Sequence, residues 1–205
     1  IDAAIAASAV LAVVEPNATG VGGDCFAIVA PKGKNPISYN GSGISPQDNT
    51  ILNFQKHRIK SIELESPHAV TIPGAIHAWS SIHADHGKLD FERLFLKAIE
   101  YAEEGFNVTE RVSLNWKNNI KKLNKNNNSK AIFLKNGKHY SFGDIFKNQA
   151  LANTLKKIGK NGAKEFYEGG IAKDIVKTLN DLGGFHTLED FSKQTTIKEE
   201  TIKSN

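Results

Sequence analysis

The stretch Asn17-Ala-Thr-Gly-Val-Gly-Gly-Asp-Cys-Phe26 constrains the fold of this chain more than any other. An Ala-rich apolar run from Ile1 stops at Pro16, and an apolar segment, Phe26 to Ala30, begins directly after the glycines. Proline ends a helix because it lacks the N–H and its ring collides with the preceding turn. The order therefore predicts helix, glycine turn, strand. Gly20, Gly22 and Gly23 are expected to supply positive φ or close backbone approach at that junction. A phosphate cradle runs strand, glycines, helix, and is followed by Lys-Ser/Thr. Here the order is reversed and that dipeptide is missing, so the turn reads as packing or the floor of a site.

Asp2 to Glu15 is built of Ala, Ile, Leu and Val with almost no polar face, which predicts a helix buried on nearly all sides. It is shorter than the roughly 20 apolar residues that span a bilayer. Phe26 to Ala30 and Pro36 to Asn40 read as a hairpin turning at Lys32-Gly-Lys34, which puts Asn40 to Gly43 at a strand end. From Pro73 helices predominate. Proline opens one, and Asp90 precedes a second over Phe91 to Glu104 that stops at Gly105. Thr109 caps a third to about Leu123, and Ala150 to Ile158 and Ile171 to Leu182 follow at helical spacing, the last closed by Gly183-Gly184. Thr187-Leu-Glu-Asp190 has the form of a helix-start capping pattern. The expected organisation is a sheet-and-helix portion over 1–72 and a mainly helical portion over 73–190.

With 205 residues, 40% of them hydrophobic, the chain can bury a sizeable core. Its net charge of +4 comes mostly from Lys scattered among Asn, with few aromatics between, which argues against a nucleic-acid surface. The Asn/Lys-rich segment from Lys117 to Lys130 reads as an exposed helix end and polar loop rather than a phosphate-binding arm. One cysteine, Cys25, rules out an internal disulfide framework. It could be a catalytic thiol, yet a cysteine entering an apolar strand more often acts as a small buried hydrophobe. His83 and His86 stand at i, i+3 near His77, but no His-Glu-x-x-His accompanies them, so exposed histidines are expected and no metal or cofactor is implied. The sequence contains no Met and opens inside a helical pattern, which leaves localisation open between cytoplasm and periplasm.

Together with Ile1 to Pro16 before it and Tyr39-Asn-Gly-Ser-Gly-Ile-Ser-Pro46 after it, the glycine stretch resembles the opening of the gamma-glutamyltranspeptidase family. Further landmarks follow in family order. They are Thr71-Ile-Pro-Gly-Ala-Ile-His-Ala-Trp79, His86-Gly-Lys-Leu-Asp-Phe91, Ala98 to Phe106, Phe166-Tyr-Glu-Gly169 and Gly183 to Phe191. The resemblance implies an α/β (α+β) fold: a partial αββα sandwich of the N-terminal-nucleophile hydrolase type, with a helical subdomain. The matching region is the large-subunit portion of a self-cleaving precursor. The implied partners are the small subunit of the same precursor and a gamma-glutamyl peptide or related acyl amide. In the family a Thr freed by that cleavage attacks the acyl carbonyl with its own α-amine as base, which answers the weak nucleophilicity of a hydroxyl. Thr195-Thr196-Ile197 looks superficially like the cleavage site, but the residue after the pair is wrong and it lies too early. It reads as the start of a strand, and the nucleophile is expected outside these residues.

The resemblance also marks candidate substrate-binding residues: Asn40, Gly41, Ser42, Gly43 and Ile44. Glutathione-cleaving members grip the donor's α-carboxylate with an Arg in the matching segment, as a planar two-pronged donor does well. Here Ile44 stands where the cephalosporin-acylase-like branch, which the segment resembles more closely, carries Arg. Two alternatives therefore stay open: an acylase for glutaryl or β-lactam side chains, and a truncated, inactive homologue serving as a binding or structural subunit.

Overall fold

The structure is a computed structural model and describes residues 1–202. Its strands are β1 (Cys25–Val29), β2 (Ile37–Gly41), β3 (Phe106–Asn107), β4 (Leu134–Lys135), β5 (Lys138–His139), β6 (Ile145–Phe146) and β7 (Ile197–Glu200). The first helices are α1 (Asp2–Val14), α2 (Ile51–Lys56), α3 (Ala75–His86), α4 (Leu96–Glu104), α5 (Glu110–Asn118) and α6 (Ile120–Leu123). After them come α7 (Asn127–Phe133), α8 (Gln149–Asn161), α9 (Ala163–Tyr167), α10 (Gly170–Asp181) and α11 (Leu188–Ser192). By contact the chain divides into two compact units, and neither is one continuous stretch.

The first unit joins Val21–Lys88 to the residues from Lys160 onward. Its sheet has the order β1-β2-β7, all antiparallel, with Phe26 opposite Asn40 and Asn40 opposite Ile197. The β1–β2 connection turns where the Lys34 N–H donates to the Pro31 carbonyl at 3.0 Å, with Gly33 at φ 75°. Strand alternation then sorts the side chains. Tyr39 is buried on the inner face, while Phe26 and Ile28 are 68% and 70% exposed on the outer one. Helix α3 packs on the inner face through Ala75, Ile76, Ala78, Trp79 and Ile82. The fit is tight at Gly41, where an added Cβ would come to 2.6 Å from Ala78 Cβ. Phe166, Tyr167, Ile171 and Phe191, from α9, α10 and α11, are also buried in this unit.

The second unit holds Asp2–Gly20 and Leu89–Gly159. Helix α1 packs on α4 and on the 3-10 turn at Phe91–Phe95, burying Ile5, Ala9, Ala12 and Val13. Trp116, Phe133, Tyr140 and Phe146 form an aromatic cluster with ring centroids 4.9–6.0 Å apart. Helix α8 buries Ala152, Leu155 and Ile158 at its helical period.

Three expectations are corrected. Helix α1 is not buried all round: Ala3, Ala4, Ala7 and Leu11 are exposed, because nothing among the described residues covers that side. None of Gly20, Gly22 and Gly23 takes a positive φ, and a Cβ on Gly20 or Gly22 would meet nothing within 4 Å, so those two positions need neither positive φ nor close approach. The Asn/Lys-rich stretch is more helical than a polar loop, since Asn126 caps α7 by accepting from the Asn128 and Ser129 N–H groups. Helix α2, capped by Thr50, occupies a segment without a clear helical pattern.

Candidate functional site

The candidate residues lie where β2 ends in the first unit, and the loop that carries them is held by side chains on its backbone donors. The Ser42 N–H donates to Asn40 Oδ1 at 3.0 Å, the Gly43 N–H to Asp24 Oδ1 at 2.9 Å and the Ile44 N–H to Gln194 Oε1 at 3.0 Å. Gln194 also donates through Nε2 to the Ser42 carbonyl at 3.0 Å and the Thr195 carbonyl at 3.1 Å. It is 3% exposed and uses both ends of its amide, which answers the cost of burying it. The Ile44 carbonyl accepts from the Ile72 N–H at 2.9 Å. Two glycines are demanded here by crowding: a Cβ on Gly43 would collide with the Ile72 carbonyl oxygen, and one on Gly74 with that of Gly41.

A second loop meets the first at the start of α3. The Gly23 carbonyl accepts from the N–H groups of Gly74 and Ala75 at 3.0 and 2.9 Å. Gly74 offers no side chain to cap the helix. The cap comes from elsewhere in the chain: the Tyr167 hydroxyl accepts from the His77 N–H at 3.0 Å and donates to the Pro73 carbonyl at 2.7 Å. Burial pushes the Tyr167 hydroxyl pKa well up, so it stays protonated and able to donate.

The segment after α11 is fastened at both sides of Gln194. Asp190 accepts from the Gln47 N–H at 3.0 Å and closes a capping box with Thr187. Burial alone would raise its pKa, but hydrogen bonds from Thr187 and Gln47 and the nearby His186 outweigh it and hold the carboxyl below the usual carboxylate value. Thr196 Oγ1 sits 2.8 Å from His77 Nδ1, and Ser81 Oγ lies 3.3 Å from the same nitrogen. Beyond them Lys198 pairs with Asp85 at 2.6 Å, and the Tyr39 hydroxyl, 2.8 Å from His86 Nε2, donates to Asp85 at 2.7 Å. Burial and the Asp85 charge push Tyr39 up to about 12.

Asn40 to Ile44 are therefore together, with Gly41 buried, Asn40 and Gly43 half-buried, and Ser42 and Ile44 exposed. Asp24, Gln194 and Tyr167 hold the surrounding framework and escaped the sequence reading. Of these only Asp24 had a local signal, standing directly after the glycines; Gln194 and Tyr167 reach their partners Ile44 and His77 across 150 and 90 residues. Burial raises the Cys25 thiol pKa, only partly offset by a hydrogen bond with Trp79, which disfavours a reactive thiolate. Thr195 and Thr196 precede β7 directly, and Thr196 faces His77, whose pKa is lowered by burial and by Lys198. The expectation of exposed histidines is corrected: His77, His83 and His86 are all half-buried, because the face of α3 that carries them folds against other parts of the unit. Among the described residues no group of three or more His, Cys, Asp or Glu is placed to hold a metal ion.

The sequence matches the gamma-glutamyltranspeptidase family model over residues 1–205. The chain belongs to the gamma-glutamyltranspeptidase family. It is 34% identical to the glutathione hydrolase-like YwrD proenzyme of Bacillus subtilis over 93% of this chain and 36% of that protein. The gamma-glutamyltranspeptidase of Helicobacter pylori superposes with a TM-score of 0.92 at 28% identity, covering 98% of this chain and 59% of that one. Cephalosporin acylase from Bacillus halodurans superposes with a TM-score of 0.93 at 30% identity, covering all of this chain and 39% of that one. This family member thus has the mixed helix and strand architecture of the N-terminal-nucleophile hydrolases, in agreement with its sequence. It spans only about a third of the length of the curated relatives it matches. No helix among its described residues is long and apolar enough to cross a membrane.

Proposed function

We propose that the protein containing this chain cleaves or transfers gamma-glutamyl or related acyl groups. Residues Asn40 to Ile44 form one wall of the acyl-donor site, and a Thr outside the chain serves as nucleophile. The observation that carries this reading is the loop itself. Asp24, Gln194 and Ile72 fix its backbone while the Ser42 and Ile44 side chains stay exposed. A rigid backbone that presents free side chains is what a recognition surface requires. The relatives' names give the chemistry, glutathione hydrolase and cephalosporin acylase, and the word proenzyme supports a second subunit cut from the same precursor. The exposed outer face of the sheet, with Phe26, Ile28 and Ile197, suits cover by such a partner.

The acylase reading keeps a specific observation of its own, the apolar Ile44 in place of a guanidinium. Both readings predict amide cleavage by the natural protein, and a chromogenic gamma-glutamyl anilide beside a β-lactam side-chain amide separates them. Release of anilide or of the β-lactam nucleus is the expected result, and inertness toward both would refute the enzymatic reading in favour of a binding subunit.

A further inference from the structure

The second unit holds a cavity of about 220 Å³ where α5, α6 and α7 meet the turn that ends α1. Pro16, Leu123 and Phe133 give it apolar walls, and Asn17, Asn119 and Lys122 bring amides and an ammonium to it. Trp116 also lines it; this residue is 3% exposed, and among the described residues nothing accepts from its indole N–H. A buried indole N–H ordinarily has an acceptor. The carbonyls that end α5 are already engaged, since the Asn119 N–H takes those of Asn115, Trp116 and Lys117. The volume is below the roughly 300 Å³ at which drug-sized sites begin, so a molecule with a single ring or one branched chain fills it.

Charge decides the kind of molecule. No Asp or Glu lines the cavity. Between Glu110 and Asp144 the chain carries eight Lys and Arg, all of them exposed, and no carboxylate side chain. Glu15 precedes Pro16 in sequence but lies outside the lining. Lys122 Nζ and Trp116 Nε1 can only donate, and the two amides are able to donate as well. A cation brought here meets a like charge, and a hydrocarbon leaves the indole N–H without an acceptor. A carboxylate on an apolar body answers both conditions, with its oxygens toward the donors and its carbon skeleton on Leu123 and Phe133. We propose that this cavity binds a small organic acid with one apolar ring or branched chain, its carboxylate held by Lys122 and the Trp116 indole N–H.

Benzoate, benzamide and benzylamine share a ring and differ in charge, so an NMR titration of the natural protein with each tests the assignment. Benzoate should bind about two- to fivefold more tightly than benzamide, as suits a pair made with an exposed lysine, and benzylamine should bind most weakly. The benzoate preference should shrink at high salt. In isotope-labelled protein the Trp116 indole N–H resonance should move as benzoate is added, while that of Trp79 stays. Lys122→Gln should bring benzoate and benzamide to near parity, and Leu123→Trp, which puts a large ring into the cavity, should abolish the binding of both. A ranking in which benzoate is not first, or no binding at millimolar concentration, would overturn the proposal. So would benzoate binding that leaves the Trp116 resonance unmoved or survives Leu123→Trp, because the acid would then sit elsewhere. The ranking and the Trp116 resonance of the unmodified protein decide the matter even if a variant fails to fold.

Discussion

At the scale of single residues, the loop depends on Gln194. Its side chain satisfies the Ile44 N–H and the Ser42 carbonyl, both of which stay in place when the amide is removed. Gln194→Leu should therefore cost about 2–4 kcal/mol, the range for leaving buried polar groups unpaired. Urea unfolding of the two proteins measures it, and a loss under about 0.5 kcal/mol would mean that water replaces the amide without penalty. His68 supplies a pH signature. Its ring lies among Phe54 and Phe185, its Nδ1 is buried without a partner, and burial, then His186 and His57, hold its pKa below the usual 6.5. The folded chain thus binds this proton more weakly than the unfolded one. Its contribution to stability is complete above pH 6.5 and is lost as the pH falls from there toward the lower folded value. His68→Phe keeps the ring packing and removes the titration, so its stability should fall less steeply below pH 6.5. Identical slopes in both proteins would move the effect to another group, such as His77.

At the scale of elements, α3 is the helix on which the site is assembled, and its start is capped from a distant part of the chain. Gly74 is present because a side chain there would collide with the Gly41 carbonyl, which leaves the first turn without a local cap. Tyr167 takes that role through its hydroxyl. Tyr167→Phe should cost about 1–3 kcal/mol and speed hydrogen exchange at the His77 N–H, with the ring packing retained. Thr187→Ala, which breaks the capping box of α11, gives an internal scale of about 1 kcal/mol. A Tyr167→Phe loss well below the Thr187→Ala loss would show that the helix start is solvated and that the hydroxyl is a bystander.

At the scale of the whole molecule, the described residues leave one side of the first unit's sheet uncovered. Phe26 and Ile28 stand exposed on β1, Ile197 lies in line with Phe26 across the sheet, and β1 is an edge strand. Such a surface associates with whatever can cover it. The isolated 205-residue chain should self-associate as concentration rises in a sedimentation experiment, and Phe26→Lys with Ile28→Lys should shift it toward monomer. A wild-type chain that stays monomeric at every concentration would count against this. The same isolated chain should not turn over an acyl anilide. Activity abolished by Thr196→Val or by Cys25→Ser would place the nucleophile inside the chain after all.

Local signals carried a good deal of this. Pro16 ending α1, Gly105 ending α4, Thr109 opening α5 and the Thr187–Asp190 box opening α11 all act within a few residues of themselves, so they are readable from the chain alone. The ordered landmarks likewise pointed to the family that the comparisons then established. The tertiary structure decided what depends on distant partners. It showed that Gly43 and Gly74 are needed because two loops cross there, while Gly20 and Gly22 are not crowded at all. It also showed that the Ser42 to Ile44 donors are taken by Asn40, Asp24 and Gln194, two of them far away in sequence. A motif names the residues at a site, but whether their N–H groups are free to bind an anion depends on which side chains the fold brings to them, and no local pattern records that.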